Sequence, residues 1–554
     1  MNIVECLESG LRTCGDHAAL IEGMGRKRRV LTYLETQRRI DRGVERLRSA
    51  GLAPGSRILL AAPFSADMTV ALLAVLKAGM VAMFVDPGHG AAQVARCLRA
   101  QPPDAIVAGP LTSAIGQLFP ELRRVARKFP LRGRRGLLDL PAATVAQGIE
   151  PRSAEDSALL TFTSGSTGEP KPVVRTHGFL LRQLEMIDRV ADVQPADIDF
   201  VAMPMFVLFN LGRQVTSVLP ACDIRRPGRA DPELAWLQLR QERTTRIVAS
   251  PALLERLAAY CERRGSRLPS LRRISTGGGP VPPSLPERLA EIAPGARVVS
   301  VYGSTEAEPI ACIDSRDVSI SDLKRMREGS GLLVGRAVER CQVRILRELP
   351  FRTSRSYTRT EFDALCVRTG QIGEIVVSGP HVLKAYADPA RNAETKLDVD
   401  GVRWHRTGDA GYLDPRGRLW LVGRCSAAIR DSRGEIYPFQ VEYAARSVPG
   451  VRCAALVDID GRRVLAIETR QRGIDCSRIA RCVMQQAIDR VVVLRRIPVD
   501  RRHNAKVDYP ALRRMLDGRS GGLGLVTLAV LAGICSAAAQ LLRRARSRFM
   551  AART

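Results

Sequence analysis

Residues 57–87, RILLAAPFSADMTVALLAVLKAGMVAMFVDP, contain two short apolar runs on either side of a longer apolar segment. Ile58 to Ala62 and Met80 to Val85 have the length of buried strands, whereas Met68 to Ala78 is long enough for a helix. A second helix is expected over Ala91 to Ala100. This alternation of strand and helix predicts a mostly parallel sheet that helices cover on both faces.

The same texture continues to about residue 330. Further strands are expected at Leu159–Thr163, Phe200–Met203, Thr245–Ala249, Arg272–Ser275 and Val298–Tyr302. After Gly331 short strands and turns predict a β-rich subdomain, with strands at Glu374–Ser378, Gly401–Trp404 and Leu419–Leu421. From Ala427 to Leu516 the pattern indicates a compact α+β unit, in which Val451–Ile459 and Val464–Glu468 form a hairpin.

Length and composition exclude several classes of protein. The chain has 554 residues, 45% hydrophobic and 26% charged, which is too long for one small binding module and too apolar for a disordered scaffold. Its 85 Lys+Arg against 57 Asp+Glu give a net charge of +28. Only eight of these cations are lysines, and the arginines are scattered without interleaved aromatics. We therefore expect no specific nucleic-acid partner.

The thirteen cysteines form no CxxC pair, which argues against a zinc site or a disulfide framework. Met1 to Gly10 does not contain the basic segment followed by an apolar run that is typical of a secretory signal, so a cytoplasmic location is expected. Gly521 to Leu542 is an uncharged stretch of 22 residues with arginines on both sides. It is long enough for a membrane-spanning helix, and the flanking arginines suit an interfacial helix on anionic lipid equally well. A plain docking helix is the third alternative.

The strongest chemical signal is the segment TFTSGSTGEPK, Thr161 to Lys171, which directly follows an apolar strand. Its hydroxyls, glycines and free backbone N–H groups suit a polyphosphate, and its lysine adds a cation. A Walker loop is excluded because no GK[ST] occurs at the required spacing, and a flexible polar loop is the alternative. The candidate phosphate-binding residues are Thr163, Ser164, Gly165, Ser166, Thr167, Gly168 and Lys171.

Two further segments carry weaker signals. In VYGSTEAEP, the aromatic Tyr302 can stack on a base before Gly303, Thr305 can donate to a phosphate, and Glu306 can ligate Mg²⁺. The alternative is a Tyr-Gly turn with a solvated glutamate.

In HRTGDAG, which begins at His405, Asp409 can accept hydrogen bonds from both ribose hydroxyls, and Arg424 downstream can donate to them. An aspartate in a turn is more often a local cap, so this segment carries little weight alone.

Taken in order, the three segments resemble the adenylate-forming superfamily of acyl-CoA synthetases, peptide-synthetase adenylation domains and luciferases. Minor supporting blocks are LTYLE (31–35), LLAVLKAGMVAMFVDP (72–87) and STGGGP (275–280). The resemblance extends from about Thr32 to Leu516. It implies an N-terminal AMP-binding domain (1–423), a hinge (424–430) and a C-terminal lid domain (431–516), followed by a basic apolar tail (517–554).

The resemblance also implies the chemistry. A carboxylate attacks the α-phosphorus of ATP with the help of Mg²⁺, pyrophosphate leaves and an acyl-adenylate remains. Thr305 would contact the α-phosphate, Glu306 would ligate the metal, and Asp409 with Arg424 would hold the ribose. Gly277, Gly278 and Gly279 correspond to the adenine pocket. Lys506 in RRHNAK would be the lid lysine that offsets charge at the reacting phosphate.

Four segments look more closely like the β-lactone synthetase of bacterial long-chain olefin synthesis: 204–212, 331–338, 405–423 and 498–506. In that branch a β-hydroxyl attacks its own acyl-adenylate, closes a lactone and releases AMP without coenzyme A, and thiolase- or hydrolase-type enzymes are pathway partners. Departures from the superfamily pattern are Pro172, Ser426 and Arg430, whereas Ala505 fits the lactone-forming branch.

Two alternatives stay open. One is a fatty acyl-CoA or acyl-carrier-protein ligase, in which a thiol attacks the same adenylate and coenzyme A is required. The other is a weakly active nucleotide- or lipid-binding protein at a membrane. The apolar run from Met203 to Phe209 suits an acyl pocket, although core packing explains such runs more often.

Overall fold

The computed structural model describes residues 1–86, 88, 90–110, 116, 119–133, 136–138, 147–164, 170–347, 349, 356–386, 388–469, 479, 483, 487–499, 507–517 and 526–528. It has the α/β architecture that the sequence predicts, with large layered sheets and a β-rich part.

The helices of the described residues are α1 (Glu5–Thr13), α2 (Tyr33–Ser49), α3 (Ala66–Lys77), α4 (Ala91–Ala100), α5 (Pro120–Arg123), α6 (His177–Ala191), α7 (Phe206–Gly212), α8 (Pro232–Gln241), α9 (Pro251–Arg264), α10 (Leu285–Ile292), α11 (Ile320–Arg327), α12 (Arg359–Leu365), α13 (Pro389–Thr395), α14 (Pro438–Arg446) and α15 (Tyr509–Leu516).

The strands are β1 (Ala18–Glu22), β2 (Arg29–Thr32), β3 (Arg57–Ala61), β4 (Val81–Met83), β5 (Ala105–Ala108), β6 (Arg127–Pro130), β7 (Ser157–Ser164), β8 (Pro170–Thr176), β9 (Ile198–Val201), β10 (Thr216–Leu219), β11 (Arg246–Ala249), β12 (Arg273–Thr276), β13 (Arg297–Ser304), β14 (Ala307–Asp314), β15 (Leu332–Ala337), β16 (Gln342–Leu346), β17 (Ser356–Tyr357), β18 (Gly373–Ser378), β19 (Lys396–Val399), β20 (Val402–Leu413), β21 (Leu419–Arg424), β22 (Ile429–Asp431), β23 (Gly434–Ile436), β24 (Val451–Ile459), β25 (Arg462–Thr469), β26 (Arg490–Leu494) and β27 (Val526–Leu528).

The segment that predicted the fold forms the centre of a six-stranded sheet in the order β6-β5-β3-β4-β7-β8. Strands β3 and β4 pair in parallel, and α3 connects them. Ser65 caps α3 by accepting a hydrogen bond from the backbone N–H of Met68. Nearly every residue of α3 is buried, including Lys77, whose ammonium donates to Asp41 of α2 at 2.8 Å. A buried cation of this kind needs such a carboxylate partner.

A second, larger sheet contains most of the other strands of the first 424 residues. Strands β1, β10, β9, β11, β12 and β13 pair in parallel. From β13 onward the pairing turns antiparallel, through β14, β15, β21, β20, β18 and β16. The β-rich part expected after Gly331 therefore continues the same sheet through the pairing of β14 with β15.

A separate four-stranded sheet, β24-β25-β26-β27, contains the predicted hairpin of β24 and β25. Its last strand corrects one expectation. Val526–Leu528 pair antiparallel with Val491–Val493, so a continuous helix over Gly521–Leu542 is wrong at these residues. The β-branched pair Val526 and Thr527 suits an edge strand. The rest of that stretch lies outside the described residues. No helix in the described part of the chain has the length and apolarity needed to cross a membrane.

Candidate active site

The predicted nucleotide residues gather at the carboxyl ends of β12 and β13, the edge where parallel sheets bind their ligands. Gly277, directly after β12, lies so close to β13 that a Cβ atom would approach the carbonyl oxygen of Val301 to 2.6 Å. Gly278 has a φ of +75°, which favours glycine, and Gly279 continues the turn. The three glycines thus let the chain turn tightly beside the end of β13.

Tyr302, Asp409 and Arg424 come together although they are far apart in sequence. The Tyr302 hydroxyl donates to Asp409 Oδ2 at 2.8 Å, and Arg424 donates to Asp409 Oδ1 at 2.7 Å. The antiparallel register of β20 and β21 places Asp409 opposite Arg424. Burial, and then the Asp409 carboxylate, raise the pKa of Tyr302 well above its usual value, so the hydroxyl stays protonated. The half-buried carboxylate is thereby held in a fixed orientation.

Thr305 and Glu306 form the turn between β13 and β14. Gly303 precedes them, and a Cβ atom at this position would lie 2.9 Å from the carbonyl oxygen of Ala307. The Glu306 carboxylate accepts a hydrogen bond from the Tyr386 hydroxyl at 2.6 Å through Oε1. Its backbone carbonyl accepts from the N–H of Leu383 at 2.7 Å. The glutamate is therefore anchored at two points beside the glycine turn.

Three residues beside Glu306 were not predicted from the sequence: Tyr386, Lys396 and, as an individual residue, His405. Lys396 is buried and its ammonium donates to the carbonyl oxygen of Leu383. Burial lowers the pKa of Lys396 to about 7 and that of His405 to about 3. The imidazole is thus neutral at neutral pH. The scarcity of lysine, eight in the whole chain, is the one sequence signal that could have pointed to Lys396.

A cavity of about 40 Å³ lies between α6 and the face of the large sheet, next to Gly277 and Val301. Three residues of the apolar run, Met203, Phe206 and Phe209, line it, whereas Val207 and Leu208 pack into the main core. Core packing therefore explains part of the run, and the acyl-pocket interpretation of the other part stays a prediction. The remaining lining residues are Ile187, Val190, Ala191, Asp199, Arg246, Val248, Arg273, Ser275, Thr276, Glu308 and Pro309.

The candidate phosphate loop is described only in part. The backbone of β7 pairs antiparallel with that of β8, which places Thr163 opposite Lys171 and Ser164 opposite Pro170 at the end of a hairpin. Gly165, Ser166, Thr167 and Gly168 lie outside the described residues, and so does Lys506. Ser426 lies in a short 3-10 turn directly after Arg424, and Arg430 donates to Glu435 at 2.7 Å.

Comparison with known proteins identifies the family of the chain. Residues 7–387 match the family model described as AMP-binding enzyme. The olefin β-lactone synthetase of Xanthomonas campestris pv. campestris is 31% identical over 86% of this chain and 89% of its own length. A feruloyl-CoA synthase from Amycolatopsis is 29% identical, over 78% of this chain and 81% of its own length.

Solved structures share the fold. The amide bond synthetase from Marinactinospora thermotolerans has a TM-score of 0.76 at 23% identity and covers 93% of this chain and 99% of its own. The O-succinylbenzoate coenzyme A synthetase of Bacillus subtilis, in complex with ATP and a magnesium ion, has a TM-score of 0.72 at 22% identity, covering 92% and 98%.

Proposed function

The chain belongs to the AMP-binding enzyme family and is an adenylate-forming enzyme, and from this premise we propose that it activates a long-chain β-hydroxy carboxylic acid and closes it to a β-lactone. In the first step a carboxylate oxygen attacks the α-phosphorus of ATP, and pyrophosphate leaves. In the second step the β-hydroxyl oxygen attacks the acyl carbon, the bond to the phosphate oxygen breaks, and AMP leaves as the hydroxyl proton passes to solvent.

The observation that carries the adenylation step is the fixed carboxylate of Asp409. Tyr302 and Arg424 each donate a hydrogen bond to one of its oxygens. Tyr302 lies on β13, beside the turn formed by Gly277–Gly279. Each carboxylate oxygen has a further lone pair, so Asp409 can accept hydrogen bonds from the two ribose hydroxyls. We assign the base to the surface beside Tyr302 and Gly277–Gly279. The phosphates would then extend toward Thr305 and the hairpin that carries Lys171.

Glu306 fits a magnesium ligand. Oε1 accepts the hydrogen bond from Tyr386, which fixes the carboxylate and leaves Oε2 available. Mg²⁺ commonly takes one or two protein carboxylates together with substrate phosphates, so a single glutamate is sufficient. The ion would supply charge neutralisation at the phosphate oxygens. Within this chain, Tyr386 orients the Glu306 carboxylate, and Thr305 lies beside Glu306.

We propose Lys506 as the cation that stabilises the charge of the transition state. Negative charge gathers between the attacking carboxylate and the α-phosphate, and an ammonium in a closed site offsets it. Helix α14, which precedes Lys506 in the chain, contacts the large N-terminal part through an ion pair of Arg446 with Glu255, at 3.0 Å. A lid that turns about the segment after Arg424 would break this partly buried contact and bring a new face to the site.

Lactone closure is preferred over thiol transfer because the olefin β-lactone synthetase is similar over a larger share of this chain than the feruloyl-CoA synthase, 86% against 78%. A tethered hydroxyl also needs no second substrate, since its effective concentration replaces one. An acyl-CoA or acyl-carrier-protein ligase remains the second candidate, since the feruloyl-CoA synthase is 29% identical to this chain.

The deciding experiment is mass spectrometry of products formed from ATP and matched fatty acids with and without a β-hydroxyl, in the presence and absence of coenzyme A. We expect AMP and a product lighter than the β-hydroxy acid by one water, formed without thiol. Formation of an acyl thioester, and of AMP only when thiol is added, would contradict lactone closure.

Lys506→Ala tests the adenylation step. We expect ATP–pyrophosphate exchange to be abolished while ATP binding is largely retained, because Lys506 acts on the transition state. Lys324→Ala is the matched control, since Lys324 is an exposed lysine on α11. Unchanged exchange in Lys506→Ala would overturn the assignment.

A further inference from the structure

The cavity beside α6 has two ends of different chemistry. One end lies at Gly277 and Val301, next to the nucleotide residues. The other lies at the start of the strands, where Asp199, Arg246 and Arg273 stand side by side in register on β9, β11 and β12. All three are lining residues of the cavity. The two arginines donate to the end of α6, but a pocket that only accommodated a hydrocarbon chain would not need a buried carboxylate at its inner end.

Asp199 presents an unused acceptor at this inner end. The residue is 1% exposed, and its Oδ2 accepts a hydrogen bond from the Asn210 amide at 3.1 Å. Its Oδ1 is buried and has no hydrogen-bond partner in the part of the chain that the structure describes. Buried polar atoms normally have partners, so this oxygen indicates a missing one.

The two arginines present unused donors. Arg246 uses both terminal nitrogens on the carbonyl oxygens of Ala191 and Asp192, at 2.7 and 2.8 Å. Arg273 donates in the same way to the carbonyl oxygen of Val190. The Nε of each guanidinium is buried and finds no acceptor among the described residues. The inner end of the cavity therefore offers an acceptor and donors together.

A hydrocarbon end would leave the Asp199 oxygen without a partner, and an unpaired buried acceptor is unfavourable, most of all when it is charged. A hydroxyl group satisfies both kinds of atom, because it donates one hydrogen bond and accepts others. The cavity of about 40 Å³ has room for such a group, since one water needs roughly 10–15 Å³.

We propose that the inner end of the cavity binds a second hydroxyl group, carried on the acyl chain of the acid well away from its carboxylate. Arg273 and Gly277 are four residues apart on and after β12, which corresponds to roughly 13 Å. The recognised hydroxyl is therefore distinct from the β-hydroxyl that closes the lactone. The inference rests on the proposed function in taking a carboxylic acid as the substrate, and it holds for lactone closure and for thiol transfer alike.

The test is ATP–pyrophosphate exchange with acids of matched chain length, with and without a hydroxyl near the distal end. For the unmodified protein we expect kcat/KM to favour the best hydroxylated acid by about tenfold or more, the effect of one hydrogen bond to a charged group. Asp199→Leu should abolish or reverse this preference. Asp199→Asn, which keeps the shape and offers a neutral acceptor, should retain part of it. It also serves as the readout if Asp199→Leu does not fold.

Asp188→Asn is the matched control, since Asp188 lies on α6, the helix beside the cavity, and pairs at the surface with Arg213. We expect it to change neither the fold nor the preference. An unmodified protein that does not discriminate between the two acids would overturn the inference and indicate that ordered water fills the polar end. So would a preference that survives in Asp199→Leu. Because exchange reports adenylation alone, a missing lactone product would contradict the proposed function and leave this inference standing.

Discussion

The two ends of the parallel strands β11, β12 and β13 differ in what their residues do. At the carboxyl ends, the exposed Gly278 and the half-buried Tyr302 lie where we place the nucleotide. At the amino ends, Arg246, Arg273 and Arg297 form a row in register. The first two donate to the carbonyl groups that end α6 and so satisfy acceptors that the helix leaves free. The same strands thus carry an edge for the nucleotide and an edge that also supports α6.

This difference indicates that variants at the two edges should fail in different ways. At the amino edge, loss of a side chain should lower the free energy of unfolding, with ATP binding by the folded protein preserved. At the carboxyl edge, loss of a side chain should weaken ATP binding and leave the fold intact. The cavity that runs between the edges connects the two regions.

The largest effect is expected for Arg246→Ala. Arg246 is 2% exposed, caps α6 with two hydrogen bonds and lies 3.7 Å from Asp197. Its removal leaves buried acceptors and carboxylates without a partner, so we expect the free energy of unfolding to fall by about 3–5 kcal/mol. Denaturant unfolding measures this change. Arg263→Ala, at an exposed position of α9, should change stability by at most about 0.5 kcal/mol. If the two variants were equally stable, the structural role of the amino edge would be contradicted.

Asp199→Asn tests the electrostatics of the amino edge. Burial raises the pKa of Asp199 from 3.8 to about 6. The folded state therefore keeps a proton that the unfolded state releases, and stability falls as pH rises from about 4 to 6, by roughly 2–3 kcal/mol. Because asparagine does not titrate, we expect no such loss of stability in Asp199→Asn. The variant should therefore become more stable relative to the unmodified protein as the pH rises.

The measurement for Asp199→Asn is the difference in unfolding free energy between the two proteins at pH 4 and at pH 7.5. The difference is needed because burial lowers the pKa of His177 to about 4 and that of His405 to about 3. These neutral histidines give stability that is lost as pH falls, which is the opposite slope. An equal difference at both pH values would show that Asp199 does not titrate as expected.

At the carboxyl edge, Asp409→Asn should weaken ATP binding by about 10- to 100-fold, the loss of hydrogen bonds to a charged group. Unfolding should change little because Asp409 is half-buried. Asp414→Asn is an instructive contrast five residues further on. Asp414 is buried and accepts hydrogen bonds from Arg418 and Trp420. The Asp414→Asn variant should therefore unfold at a lower temperature than the unmodified protein. Calorimetric titration with ATP and thermal unfolding separate the two outcomes, and the reverse pattern would contradict the ribose assignment.

The sequence predicted the fold well where local patterns suffice. The alternation around residues 57–87 gave α3, β3 and β4, and the helix over Ala91–Ala100 has the predicted bounds. Val526–Leu528 were predicted incorrectly, because an apolar uncharged run fits a helix and an edge strand equally.

Residues that follow a motif, as Tyr302, Asp409 and Arg424 do, could be singled out from the sequence, and the structure brings these three into contact, while their roles remain predictions. Tyr386 and Lys396 lie in a segment without a motif, and only the pairing of β19 with β20 brings Lys396 next to His405. The row of arginines at the amino edge depends on the register between strands, which no local pattern encodes. The roles of the phosphate loop and of Lys506 remain predictions.

The smallest effect is expected for Tyr302→Phe. The variant keeps the ring that we place beside the base and removes one hydrogen bond to Asp409, at 2.8 Å. Arg424 still holds the other oxygen of that carboxylate. We therefore expect ATP binding to weaken by about fivefold, corresponding to about 1 kcal/mol. Tyr302→Leu, which also removes the ring, should weaken binding further, since stacking on a base contributes roughly 1–3 kcal/mol. Equal affinities of the Phe and Leu variants would exclude stacking and assign Tyr302 solely to the orientation of Asp409.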